Sequence, residues 1–207
     1  MTIEIWSDIA CPFCYIGKKR FEKALEKFPR KNEVTVIWKS FQLDPDFKPV
    51  AGESIHQMLA DKKGWTLDYA IDMNNRVSKM AADAGLTYNF DKTIPANTFN
   101  AHRLIQFAAS EKLQNEAEEK LFSAYFCEGK NINDLNILIE LGKEIGLKEN
   151  QLKEMFADDS FTDEVYDDME EAGKLGINSV PFFVGNRKIA VAGAQPEHMF
   201  TEFLEQL

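Results

Sequence analysis

Residues 7–17 read Ser7-Asp8-Ile9-Ala10-Cys11-Pro12-Phe13-Cys14-Tyr15-Ile16-Gly17, and the rest of the chain is placed by them. An apolar run, Ile3 to Trp6, precedes this stretch and predicts a strand. Phe21, Ala24, Leu25 and Phe28 follow it at helical spacing. The two cysteines therefore stand where a strand turns into a helix. Cys11 falls at the helix start, with Pro12 in the first helical position, where a missing N–H costs nothing. A thiol there meets unpaired N–H groups and the positive end of the helix dipole, and both favour the reactive thiolate. Cys14, three residues on, lies on the same face and within disulfide reach.

Three uses of a C-x-x-C pair compete. A redox dithiol needs a strand before it and a helix after it, and both are predicted here. A zinc site needs two more ligands. The remaining candidates, Cys127, His56, His102 and His198, are scattered along the chain, so no metal is expected. A purely structural disulfide is unneeded in a chain of 207 residues, which can bury a full core without staples. Redox chemistry remains, and it calls for no cofactor.

The formal net charge of −10 argues against nucleic acid and anionic membrane surfaces as partners. No apolar run reaches bilayer-spanning length. Met1 to Ser7 carries Glu4 and neither a basic region nor a long apolar core. No signal peptide is therefore expected, and a cytoplasmic location is. Cysteine pairs in that compartment are usually transient and catalytic.

Taken in order, Thr2 to Ser7 predicts a first strand and the helix after it runs to about Phe28, before Pro29. Glu33 to Phe41 is β-branched and aromatic and predicts a second strand, parallel to the first across the helical crossover. Gln42 to Glu53, with Pro45, Pro49 and Gly52, is a loop. Strand signal then vanishes for more than a hundred residues. Helices are predicted at 54–63 and 66–84, at 97–113 from an Asn97 cap, from about Asn115 to Glu128, at 135–145 from an Asp134 cap, and at 151–156 and 161–175. Strands return at 180–184 and 188–192 around a Gly185-Asn186-Arg187 turn, and 196–206 is a last helix. The pattern is α/β: a βαβ–ββα thioredoxin-like fold in two parts, residues 1–52 and 176–207, with an all-helical domain inserted at 53–175.

Strand, C-x-x-C, helix, helical insertion and then Ser179-Val180-Pro181-Phe182-Phe183 resemble the DsbA family of thioredoxin-fold oxidoreductases. The run from Ser7 to Phe21 resembles its cytosolic FrnE-like branch in particular, as do Phe41-Gln42-Leu43-Asp44-Pro45 and Asn97-Thr98-Phe99-Asn100-Ala101-His102-Arg103-Leu104. The resemblance spans Ile3 to about Phe203. Kappa-class glutathione transferases and 2-hydroxychromene-2-carboxylate isomerases share the Asn-Thr…Ala-His-Arg stretch but typically carry Ser where this chain has Cys11. Two cysteines move the expectation from glutathione conjugation to thiol–disulfide exchange.

The resemblance implies a dithiol–disulfide oxidoreductase or isomerase with Cys11 as nucleophile and Cys14 as resolving thiol. It also implies a cis Val180–Pro181 bond beside the cysteines, leaving the Val180 backbone free to pair with an extended substrate. Pro12, Phe13, Val180 and Pro181 are the expected substrate contacts. The expected partners are a disulfide-containing protein or a small thiol such as glutathione, with a second copy of the chain as a further candidate. The Pro-Phe dipeptide, in place of the Pro-His of the periplasmic oxidants, points to a less oxidising disulfide. Asp8 is expected to order the loop rather than relay a proton. Lys18 is expected to be solvated, Cys127 buried and inert, and His102 structural and hydrogen-bonded. The rivals are a kappa-type transferase or isomerase and a non-catalytic binding module.

Overall fold

A computed structural model describes all residues, Met1–Leu207. Its sheet has four strands in the order β2-β1-β3-β4, with β1 at Thr2–Ser7, β2 at Thr35–Ser40, β3 at Phe182–Gly185 and β4 at Ile189–Ala192. β1 and β2 are parallel, joined by the crossover helix α1 (Pro12–Lys27). β3 runs antiparallel to β1, and β4 antiparallel to β3. Ile3 and Ile5 are fully buried on one face of β1, and Trp6 is fully buried on the other. β1 is therefore covered on both sides, as a central strand must be.

Ile5 pairs with Phe183, whose ring packs with Phe21 of α1 and Phe200 of α9 (Glu197–Glu205). α1 and α9 thus cover that face. The opposite face belongs to α8 (Thr162–Lys174): Trp6 Nε1 donates to the Asp168 carbonyl at 3.0 Å. The Asp168 carboxylate accepts from Lys39 Nζ, the Ser40 N–H and Gln106 Nε2 at 2.8, 2.9 and 2.6 Å. A buried carboxylate held by three donors is the polar clamp that fixes the helices against β2.

Between β2 and β3 the chain is helical: α2 (Ile55–Lys63), α3 (Leu67–Asp83), α4 (Phe99–Ser110), α5 (Gln114–Phe122), α6 (Leu135–Glu144), α7 (Glu149–Ala157) and α8. The Asp134 cap and the helix-ending glycines are in place, whereas α4 starts after Thr98 and ends at Ser110, with Asn97 one residue further out and accepting from the Phe99 N–H at 2.9 Å. Asp134 accepts from the Asn136 N–H, and Gly85, Gly129 and Gly146 follow their helices with positive φ. The helix expected from about Asn115 begins at Gln114 and differs from expectation in continuing as a π-helix from Ser123 to Glu128, where Tyr125 and Phe126 are buried in the core. The β3–β4 turn, closed by the Lys188 N–H donating to the Gly185 carbonyl at 2.9 Å, is centred on Asn186 and Arg187, both at positive φ as a type I′ turn requires, and Lys188 is left between the paired Gly185 and Ile189. Arg187 holds that conformation while pairing with Glu4 on β1 and Glu171 on α8.

Candidate active site

Cys11 is the N-cap residue of α1, in an extended conformation, and Pro12 opens the helix. Its backbone N–H donates to the Asp8 carbonyl at 2.9 Å, and the Cys14 N–H donates to the Cys11 carbonyl at 3.0 Å. Both cysteines are free thiols. Cys11 keeps 4% of its surface and lines a pocket, whereas Cys14 keeps none. Burial pushes the Cys14 thiol well above the usual thiol range, and its contact with the Cys11 sulfur pushes it further.

Val180 and Pro181 sit against this turn. The Val180–Pro181 bond is cis, and the Cys11 thiol points at the Val180 carbonyl at 3.5 Å. The Val180 N–H takes part in no backbone hydrogen bond. Gly17 permits the approach: a Cβ there would lie 2.9 Å from Pro181 Cγ. Pro12 is half-buried and Phe13 exposed, so the dipeptide between the cysteines faces outward.

The three stretches that carried the resemblance converge on Asp8. Its carboxylate accepts from the Ala10 N–H at 3.2 Å and the Leu43 N–H at 2.8 Å, which orders the loop as expected. Gln42 donates to Asn97 at 3.1 Å, and Asn97 donates to the carbonyls of Pro45 and Phe47 at 3.0 and 3.1 Å. His102 places Nε2 3.5 Å from Asp8 Oδ1, but neither ring nitrogen has a hydrogen-bond partner. The expectation of a hydrogen-bonded histidine is corrected here: the ring is walled in by α4 packing and stops short of its acid.

Lys18 is also corrected. It is 1% exposed rather than solvated, because α1 packs its next turn against α5, where Glu119 meets the ammonium at 2.7 Å and Glu22 meets it at 2.5 Å. Cys127 is half-buried rather than buried, near the end of the π-helical segment. Burial, then Glu128 and Glu119, raise its thiol.

Two further groups escaped the sequence analysis. Tyr88 donates to the Pro12 carbonyl at 2.7 Å, so the α3–α4 connection holds the first turn of α1. Glu118 is fully buried with Oε2 unpartnered, and burial pushes its carboxyl up to about 8 against the pull of Lys18, with Asp8 adding to the rise. No group of three or more His, Cys, Asp or Glu side chains is arranged to hold a metal ion.

The pocket beside Cys11 has a volume of about 370 Å³. Its walls are Pro12 and Phe13, the loop after β2, one face each of α2 and α3, and Tyr125 and Phe126 of the π-helical segment. A mostly apolar cavity with the Cys11 thiol at its edge is the expected form of a small-molecule or side-chain site.

Comparison with known proteins agrees with this geometry. The uncharacterized protein YwbO of Bacillus subtilis (strain 168) is 29% identical over 188 residues, 88% of this chain and 85% of that protein. The crystal structure of the probable DsbA oxidoreductase SCO1869 from Streptomyces coelicolor superposes with a TM-score of 0.93 at 37% identity, covering 100% of this chain and 89% of that one. The cytosolic disulfide reductase DsbM from Pseudomonas aeruginosa, in its structure with GSH, shares the fold at TM-score 0.67 and 17% identity, over 100% of this chain and 98% of that one. The DSBA-like thioredoxin domain profile matches residues 2–205, nearly end to end, with the C-x-x-C turn and the cis-proline loop facing each other inside it. By fold and by sequence, the chain belongs to the DSBA-like thioredoxin domain family.

Proposed function

We propose that the chain is a dithiol–disulfide oxidoreductase or isomerase acting on protein or small-thiol disulfides through Cys11 and Cys14. One observation carries the proposal: Cys11 opens onto the pocket at the start of α1 while Cys14 is enclosed directly behind it. Cys11, as thiolate, attacks one sulfur of the substrate disulfide. That S–S bond breaks, one half leaves as a thiolate that takes up a proton, and the other half stays joined to Cys11. Cys14 then loses its proton and attacks the Cys11 sulfur of the mixed disulfide, releasing the second thiol. The substrate gains two electrons and the cysteine pair loses them. A dithiol donor, or two molecules of a small thiol such as glutathione, returns the pair to the reduced state. When the released substrate thiol attacks a different sulfur before Cys14 does, the same chemistry isomerises.

Pro12, Phe13, Val180 and Pro181 contact the substrate in this scheme. The Val180 N–H and C=O supply the strand-like pairing, and the exposed Phe13 ring lies over the substrate beside its sulfur. Residues 53–175 act as an inserted domain that walls the pocket. Pro-Phe between the cysteines places no cation there, which favours the reducing and isomerising directions in the cytoplasm.

The test is a trap. Cys14→Ser should accumulate a mixed disulfide at Cys11 with a disulfide peptide, and Cys11→Ser should not. The wild type should reduce an insulin-like substrate with a dithiol donor. Conjugation of an electrophilic aromatic by glutathione, without disulfide reduction, would instead assign the kappa-type transferase chemistry. Equal trapping by both serine variants would remove the roles given to the two thiols.

A further inference from the structure

Resting on that function, we infer that the small-molecule substrate of Cys11 is a disulfide whose arm is apolar and ends in a single anionic group. The inference follows from which polar groups of the pocket remain free. Asp8 is already held by the Ala10 and Leu43 N–H groups. Asp44 is paired with Lys62 at 2.5 Å. Asn74 is hydrogen-bonded to His56 Nδ1 at 2.9 Å, and Thr98 accepts from Gln42 at 3.4 Å. Lys63 is the one cationic side chain of the lining without an ion-pair partner.

The rest of the lining is apolar. Ile55, Met58 and Leu59 of α2 face Met73 and Val77 of α3, with Phe126 across from them. Glutathione carries two carboxylates and an ammonium, and this wall offers one free cation and no free anion for them. Each charge placed there unpaired would be desolvated without return. An aliphatic or aromatic arm loses nothing polar, and a terminal carboxylate reaches the free Lys63. The volume of about 370 Å³ sits at the small end of the ~300–1,000 Å³ range of small-molecule pockets. The loop after β2 is held along one side of the cavity by the Asp44–Lys62 pair and by Asn97.

The experiment mixes prereduced protein, freed of dithiol, with the symmetrical disulfides of 3-mercaptopropionate, 6-mercaptohexanoate and 8-mercaptooctanoate, and with glutathione disulfide. Alkylation quenching reads the rate of Cys11–Cys14 bond formation. These aliphatic acids have similar leaving thiols, so the series isolates the arm. The expected second-order rate constant rises roughly two- to fourfold per methylene, in line with the free energy of burying one CH₂. The octanoate disulfide should also exceed glutathione disulfide. Its methyl ester should lose several-fold, and Lys63→Ala should abolish that difference. Met58→Trp, which fills the cavity, should bring the long-to-short ratio towards one. Free octanoate should compete with the long disulfide, and its binding to Cys11→Ser by calorimetry reads the pocket without any redox step.

A series flat with chain length, with glutathione disulfide reacting fastest, overturns the inference while leaving the exchange function standing. A flat series for free acids that becomes steep for peptides carrying Leu or Phe beside their cysteine overturns it in favour of protein substrates. Octanoate binding to Cys11→Ser, with no exchange by the wild type on any disulfide, keeps the pocket assignment and removes the proposed function instead.

Discussion

Tyr88 reaches out of the α3–α4 connection to donate a 2.7 Å hydrogen bond to the Pro12 carbonyl, one residue past the Cys11 thiol. The ring itself is stacked on Phe126 at 4.8 Å and on Tyr15 at 6.1 Å. Burial raises its phenol above the usual range, so it donates at every working pH. Tyr88→Phe keeps the stacking and removes only the donor. The Pro12 carbonyl retains a second lone pair for the helix, so the loss should be ~0.5–1.5 kcal/mol, with slower exchange from a looser first turn. Urea unfolding and the insulin-type assay measure the two effects. Unchanged values in both would show that this bond does not position the turn.

Glu118 makes stability depend on pH. Its carboxyl is raised in the fold from the ordinary 4.5 to about 8, so the folded state holds a proton that the unfolded chain has already lost. The fold is therefore favoured by this group below pH 4.5, and that contribution is lost as pH rises to about 8. Groups facing it are Lys18 from α1, Asp8 from the β1–α1 loop and Glu119 from its own helix. At about 1.4 kcal/mol per pKa unit, the full loss is a few kcal/mol. Glu118→Gln mimics the protonated acid. It should match the wild type near pH 4.5 and be more stable by a few kcal/mol at pH 9, read as urea midpoints. Parallel pH curves for the two proteins would mean that another group titrates.

Gly17 sits in α1 with ordinary helical geometry, so alanine there would normally stabilise by up to about 1 kcal/mol. Its Cβ would instead lie 2.9 Å from Pro181 Cγ and 3.5 Å from Ala194 Cα. Gly173, in α8, has nothing within 4 Å of the same atom. Gly173→Ala should raise the melting temperature slightly, and Gly17→Ala should lower it and slow exchange by pushing the Pro181 loop from Cys11. Stabilisation by both would show that the loop yields freely.

The strands, the helices and the strand-to-helix placement of the two thiols were legible because each rests on local spacing: period two, period 3.6, and a proline at the first helical position. Asp8 was legible as a loop-ordering residue for the same reason. Glu118 was not. In the run Asn115-Glu116-Ala117-Glu118-Glu119-Lys120, nothing local distinguishes the fully buried acid from its exposed neighbour Glu116. Lys18 and Lys19 pose the same difficulty. Burial of these groups is decided by α5 docking on α1 across a hundred residues of chain, as the Lys18–Glu119 pair records. The π-helical step that turns Tyr125 and Phe126 to the pocket is one extra residue in a helical turn, and it leaves no periodic signature. His102 misled for a related reason: its motif was visible, but the 3.5 Å gap to Asp8 belongs to packing.

Alkylation by iodoacetamide separates access from chemistry among the three thiols. By exposure alone the half-buried Cys127 should react first, ahead of Cys11 at 4% and Cys14 at 0%. Burial and the carboxylates of Glu128 and Glu119 hold the Cys127 thiol above its ordinary 9.0, so little thiolate is present at neutral pH. Its labelling rate should climb about tenfold per pH unit from 6 to 8, as expected for a thiol well below its pKa. Cys14, enclosed and raised further, should stay unlabelled until the protein unfolds. If Cys11 is the attacking sulfur, it reacts first at pH 7 despite its small exposure, and peptide mapping should place the first label there. Labelling that begins at Cys127 at pH 7 would mean that access outweighs chemistry in this fold, and the assignment of Cys11 as nucleophile would fall with it.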